Sequence, residues 1–163
     1  MKLLRMFRML FVVSVICLMG FLPAGCGYTA PVGESGRVVK IVDGDTIWVE
    51  LGSKEFKVRY IGMNAPELAH KGVAEQPYAR AATEANRRLV EGQVVTLVKD
   101  VSETDQYGRL LRYVYVGDTF VNAELVRLGM ARAKAYPPDT GLQEELYAAQ
   151  DEARAARRGL WAP

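Results

Sequence analysis

Beyond Gly36, apolar and polar residues alternate in short runs. Val38 to Val42 is apolar except for Lys40, and Asp43-Gly44 is a hairpin-type ending. Thr46 to Leu51 is rich in β-formers and stops at Gly52-Ser53; Phe56, Val58 and Tyr60 then alternate with Lys57, Arg59 and Ile61. Period-two alternation sets Arg59 on the face opposite the Phe-Val-Tyr set. The pattern predicts a three-stranded meander and then a loop over 62–76. After Pro77, which suits a first helical turn, Tyr78, Ala81, Ala82, Ala85, Leu89 and Val90 recur at helical spacing until Gly92. Val94 to Val98 and Leu110 to Val116 read as strands four and five, separated by the polar loop Ser102 to Gly108.

Asn122 is positioned to cap a short helix that runs through Met130, with Gly129 near its end. Pro137-Pro138 forces an extended segment. Thr140-x-x-Gln143 reads as a capping box, and Leu142, Leu146, Ala149, Ala153 and Ala156 line one face of the helix it opens. Gly159 stops that helix and Leu160-Trp161 folds back. Tyr113 and Tyr115 are expected in the core. Five strands with a helix between the third and fourth is the order of an OB-fold barrel. About three helices make the class α+β, and one face of such barrels often binds oligonucleotides.

The N-terminal segment changes what composition means. Lys2, Arg5 and Arg8 precede a 14-residue apolar run, Met9 to Leu22, and then Pro23-Ala24-Gly25-Cys26. A spanning helix needs about 20 apolar residues, so residues 1–25 read as an export signal, with a retained membrane anchor as the alternative. Residues 26–35 are small and polar and read as a tether, and 36–163 form one domain. The whole chain carries +2, but all 19 acidic residues and only 18 of the 21 basic ones follow Cys26, so the exported chain is near −1. Nucleic-acid binding must then come from a local cluster of cations. With Cys17 in the signal, Cys26 would be the one cysteine left, so no internal disulfide forms. Cys26 after Ala-Gly resembles a bacterial lipoprotein box, although Pro23 stands where Leu is preferred. Membrane anchoring through a lipidated Cys26 is the expectation, with plain secretion as the alternative.

The candidate chemistry lies at strand ends: Asp43-Gly44-Asp45-Thr46, Arg59, Asn64-Ala65-Pro66-Glu67 and Asp105-Gln106-Tyr107-Gly108-Arg109. Each alone has a bland reading: a turn, a solvated strand arginine, a loop, a strand connection. Together they supply oxygen donors for a hard cation and forked donors for a phosphate. A cation and arginines around one phosphate is the chemistry of phosphodiester hydrolysis. His70 is the only histidine and reads as a loop residue. One histidine excludes paired-histidine nucleases, no Cys/His cluster suits zinc, and no Gly-rich phosphate loop is present.

From about Val38 to Trp161 the chain resembles the thermonuclease family, the staphylococcal-nuclease-like nucleases. The resemblance rests on Val42-Asp-Gly-Asp-Thr46, Arg59-Tyr-Ile-Gly-Met-Asn-Ala-Pro-Glu67, Asp105-Gln-Tyr-Gly-Arg109, Val121-Asn-Ala-Glu-Leu-Val-Arg-Leu-Gly129 and Gly159-Leu-Trp161. It implies Asp45 and Asn64 as side-chain ligands of Ca²⁺, the Ala65 backbone carbonyl as a third ligand and Asp43 in the outer shell. It implies Glu67 acting on the attacking water and Arg59 and Arg109 on the phosphate, with Tyr107 and Tyr136 beside the nucleotide. The chain departs from the family twice. Asn64 stands where the family has Asp, which removes one negative charge from the metal site. Gln106 stands where well-known secreted members have Lys, which weakens the case for recognition of a terminal phosphate. The implied function is a monomeric, Ca²⁺-dependent extracytoplasmic nuclease acting on DNA and RNA with little sequence preference. The alternative is a catalytically inactive OB-fold module that binds nucleic acid or a protein partner; a third reading is a structural envelope lipoprotein. Retention of Arg59, Glu67 and Arg109 speaks for the enzyme.

Overall fold

The computed structural model describes residues 31–163, so the signal segment and Cys26 lie outside the described residues. Strands β1 (Glu34–Ile41), β2 (Thr46–Leu51) and β3 (Lys54–Tyr60) form the expected meander. A two-residue strand β4 (Met63–Asn64) leads to helix α1 (Ala79–Val90), followed by β5 (Val94–Val98) and β6 (Leu110–Val116). The remainder is β7 (Thr119–Phe120), α2 (Val121–Arg127), β8 (Arg132–Ala133), α3 (Gln143–Ala155) and a closing 3-10 turn, Gly159–Trp161.

The main sheet runs β3-β2-β1-β5-β6 and closes on itself through a β3–β6 pairing. That closing pair is parallel and joins Val58 to Leu110, Arg59 to Leu111 and Tyr60 to Arg112. The fold is therefore the expected α+β barrel of five strands with three helices. β1 serves two neighbours. Glu34–Arg37 pairs with β5, and Arg37–Ile41 pairs with β2 across an irregularity between Val38 and Lys40. This is why the strand begins inside the stretch that reads as tether: the backbone of Glu34 and Ser35 finds partners in Leu97 and Thr96. Ile47, Val49, Val58, Val95, Leu97 and Val114 fill the barrel, and Leu125, Val126, Leu146 and Ala149 extend the same core into the helices.

Several local expectations give way to tertiary demands. Asn122 does not cap α2. It is buried, receives the Val114 backbone N–H at 3.0 Å and donates to the Ile61 carbonyl at 2.9 Å. No side-chain cap forms at Thr140 either; the Gln143 amide turns inward to the Gly62 carbonyl at 3.4 Å. Pro77 precedes α1 rather than starting it, because Tyr78 takes the cap position in a left-handed conformation with φ 69°. Ala81 and Ala156 are exposed, while the polar Asn86 occupies a core place on α1. Tyr113 is buried, but Tyr115 is only half-buried and stacks on Phe120 at 4.8 Å between ring centres.

Candidate active site

The Asp43-Gly44-Asp45 turn joins β1 to β2 and is held from two sides. Asp43 accepts the backbone N–H of Asp45 at 3.0 Å, and the Asn86 amide donates to the Asp43 carbonyl at 2.9 Å. Asn86 also receives the Tyr60 hydroxyl at 2.9 Å, and burial pushes that phenol's pKa well above the usual tyrosine range. Gly44 is required by close approach. A Cβ there would stand 2.6 Å from that of Ala65 and 2.8 Å from that of Ala82. The turn is thus clamped between α1 and the segment that carries Asn64 and Glu67.

Asp45 is 3% exposed and fully engaged. It accepts the Thr46 hydroxyl at 3.1 Å and the Ala65 N–H at 2.8 Å, and it pairs with Arg59 Nη2 at 3.1 Å. Burial pushes the Asp45 carboxyl up to about 7; Arg59 opposes the rise and Asp43 adds to it. Removing water from a charge is what makes a partner cation valuable there.

Arg59 sits on the outer face of β3, as the alternation predicts, yet it is buried. The barrel seam and the chain after β3 close over it. Nη1 donates to the carbonyls of Tyr60 at 2.6 Å and Met63 at 3.2 Å, and Nη2 to Asn64 Oδ1 at 3.0 Å. With the Asp45 pair, protein groups occupy both terminal nitrogens, and Nε–H has no protein partner among the described residues. Asn64 is held by an element the sequence hides. It lies in the β4–β8 pair, opposite Arg132, inside what reads as a loop.

The single Asn64 oxygen also accepts the Tyr136 hydroxyl at 3.3 Å, while its Nδ2 faces the Ala65 carbonyl at 3.4 Å. Asp45, Asn64 and the Ala65 carbonyl form an oxygen donor set that fits a hard cation in kind. The amide fits it less well than a carboxylate would, because its one oxygen already serves Arg59. Glu67 follows on the same segment, half-buried. Its backbone is fixed by Gln76, which accepts the Glu67 N–H at 3.2 Å and donates its own N–H to the Glu67 carbonyl at 3.0 Å. The Glu67 carboxylate has no partner among the described residues.

Arg109 reaches the same cleft from the β5–β6 loop. Asp105 organises it: the Asp105 carboxylate accepts Tyr107 N at 2.9 Å, Arg109 N at 3.0 Å and Arg109 Nε at 2.6 Å. Burial works against this carboxylate, but those hydrogen bonds and the Arg109 charge prevail and hold its pKa below the usual range. Neither terminal nitrogen of Arg109 has a partner among the described residues. Its guanidinium also lies 5.6 Å from the centre of the Tyr107 ring, and Tyr107 is 75% exposed. On the far wall Tyr136 is 36% exposed, and Lys134 Nζ lies 5.0 Å from its ring centre. The two walls are tied together. Asp139 accepts Val101 N at 3.0 Å and Ser102 N at 2.7 Å, and Asp100 accepts Gly141 N at 2.7 Å and the Tyr113 hydroxyl at 3.0 Å.

The result is one cleft of about 480 Å³, lined among others by Arg59, Asn64, Glu67, Tyr107, Arg109 and Tyr136. Every sequence-predicted catalytic and substrate-side residue borders it, as does Asn64; of the other predicted metal-side groups, Ala65 lines an adjoining depression and the Asp43–Asp45 turn meets the cleft through the Asp45–Arg59 pair. Gln106 lines it too. Four supporting residues were not predicted for their roles: Asn86, Asp105, Asn122 and Asp139. Only Asp105 left a usable signal, since Asp at the first and Gly at the fourth position is a turn signature. His70 is an exposed loop residue whose ring hydrogen-bonds the Leu68 carbonyl at 3.0 Å.

Comparison with known proteins places these residues in context. The model of the "Staphylococcal nuclease homologue" family matches residues 57–163. The thermonuclease of Staphylococcus hyicus is 36% identical over 128 residues, covering 78% of this chain and 76% of that protein. The thermonuclease of Staphylococcus intermedius is 37% identical over 129 residues, covering 79% and 77%. Endonuclease YncB of Bacillus subtilis is 35% identical over 124 residues, covering 75% of this chain and 59% of that protein.

Proposed function

We propose that this chain, which belongs to the staphylococcal nuclease family and is a nuclease, works outside the cytoplasm as a Ca²⁺-dependent monomeric enzyme that hydrolyses DNA and RNA with little sequence preference. One observation carries the reading: Arg59, Glu67 and Arg109, far apart in sequence, all line a single cleft beside the Asp45 turn. A binding-only module has no need for an unpaired carboxylate there.

The chain's own residues account for much of the chemistry. Glu67 is held by its backbone while its carboxylate stays unpaired, so it is free to take a proton from water attacking phosphorus. Arg109 presents its two terminal nitrogens, a fork that matches two phosphoryl oxygens and grips harder as their charge grows. Arg59 adds a fixed positive charge and its Nε–H. Tyr107 and Tyr136 offer exposed ring faces to bases, a contact indifferent to base identity. Asp45, Asn64 and the Ala65 carbonyl are the groups that would hold Ca²⁺, with Asp43 outside them; the ion would polarise a phosphoryl oxygen.

Metal removal tests this directly. Plasmid digestion by the 27–163 fragment is expected with Ca²⁺ and is expected to stop in excess EDTA; full activity in EDTA would overturn the metal requirement. Asn64→Asp is expected to lower the Ca²⁺ concentration for half-maximal activity, because a carboxylate gives Arg59 one oxygen and the ion another. No shift, or a rise, counts against Asn64 as a ligand. The placement outside the cytoplasm rests on the sequence before residue 31. Mass spectrometry of the mature N-terminus is expected to find a lipidated Cys26; a free terminus elsewhere leaves secretion and removes the anchor.

A further inference from the structure

A second depression, of about 390 Å³, adjoins the catalytic cleft. Asn64 borders both, and Ala65, Pro66, Pro77, Tyr78 and Arg132 also line the second. Arg132 is the β8 partner of Asn64, so their Cα atoms lie roughly 4.5–5.5 Å apart. Its guanidinium is exposed but not loose: it stacks 4.3 Å from the centre of the Trp161 ring, where Arg154 also packs at 4.5 Å. Arg154 has Asp151 within 3.5 Å. Arg132 has no carboxylate and no hydrogen-bond acceptor among the described residues. Stacking thus fixes a cation and leaves its N–H donors facing outward.

Tyr78 borders the same depression with an exposed ring, and its backbone is held at φ 69°. A positive φ on a bulky residue is an outlier, and such strain concentrates at ligand clamps. A prepared cation, an aromatic face and a depression continuous with the cleft match the repeating chemistry of a nucleic-acid strand, an anion followed by a base.

From this we infer that the depression is a nucleotide subsite of the nuclease. It takes the phosphate one linkage away from the scissile one, on the other side of Asn64 from Tyr107. Arg132 binds that phosphate, and Tyr78 packs against the base it carries. The assignment rests on the nuclease reading of the neighbouring cleft. It makes the chain prefer a strand to a single linkage.

The test compares thymidylyl-thymidine, which has one linkage and nothing beyond it, with octathymidylate, both with Ca²⁺. Arg132→Ala and Tyr78→Gly are the variants; glycine accepts the positive φ, so only the ring is lost. Each is expected to raise KM for the octamer on the order of tenfold while kcat holds, the size of one charge-assisted or stacking contact. Turnover of the dinucleotide is expected to stay within about twofold of wild type. Arg132→Ala is also expected to flatten the dependence of log KM on log salt by about 0.7 for the octamer, one phosphate contact on a single strand. Equal losses on both substrates would mean that Arg132 only supports the Asn64 strand, and no loss on the octamer would mean no subsite; either overturns the proposal. If the wild type cleaves neither substrate, the nuclease reading fails and the subsite with it. If the wild type cleaves both and the variants match it, only the subsite falls. Because Tyr78 takes no part in the cation stack on Trp161, its variant decides the matter should Arg132→Ala lose its fold.

Discussion

Arg59→Lys is expected to lower kcat on a single-stranded oligonucleotide on the order of 100- to 1,000-fold, nearly as much as Arg59→Ala. The reason is geometric. The Arg59 guanidinium spans Asp45, Asn64 and two backbone carbonyls at once. An ammonium is a point charge with three donors and cannot bridge that set. Lysine does keep a cation next to the buried Asp45, so the variant avoids the roughly 3–5 kcal/mol penalty of leaving that carboxylate alone. Loss of activity in a folded Arg59→Lys protein therefore reports position and fork geometry rather than collapse. The loss belongs in kcat because the phosphate oxygens gain charge only as the reaction proceeds. Steady-state kinetics with thermal melting of the same sample decides it; a kcat within about twofold of wild type would remove Arg59 from the catalytic set.

The second large effect is expected for Glu67→Gln, a loss on the order of 100- to 10,000-fold in kcat. Nothing structural is at stake, since Gln76 holds the backbone of residue 67 through both its N–H and its carbonyl. An amide of the same shape cannot accept the proton of the attacking water, so the melting temperature should hold while turnover collapses. A pH series adds a readout that a positioning role would not move. The limb of the wild-type profile that reports the base should vanish in the variant. Unchanged kcat with weakened DNA binding would instead mark the cleft as a binding surface and restore the inactive-module reading.

The barrel was legible because its strands are long enough for alternation and turn chemistry to speak. Ile47, Val49 and Val58 point inward as period two requires, and Gly52 and Gly117 punctuate the strands at positive φ. That Arg59, Glu67 and Arg109 would meet in one cleft was legible for a different reason: they come in short spaced motifs. What lay beyond reach was each residue whose role is set by a distant carbonyl. Asn122 and Gln143 carry ordinary cap signatures, yet just past β3 Asn122 donates to the Ile61 carbonyl, and Gln143 adds a longer bond to the Gly62 carbonyl, which also accepts the Lys134 N–H. Local preference lost to buried-polar satisfaction. The β4–β8 pair is two residues on each side, too short for any period to register, although it places both Asn64 and Arg132. Arg59 looked like a solvated face residue because alternation reports the side of a sheet, not what later folds over that side.

The barrel's seam has a consequence for the cell that makes the enzyme. Arg59 lies on a strand that closes the barrel only when residues 110–112 arrive to pair with 58–60. Arg109 stands next to that same seam, and Asn64 is registered only by residues 132–133. A nascent chain that has not yet presented its last third therefore holds carboxylates and arginines but lacks the strand pairings that bring them together. Cleavage is therefore expected only once the last third of the chain has been made and has folded onto the rest, and a chain cut short before residue 110 is expected to be inert.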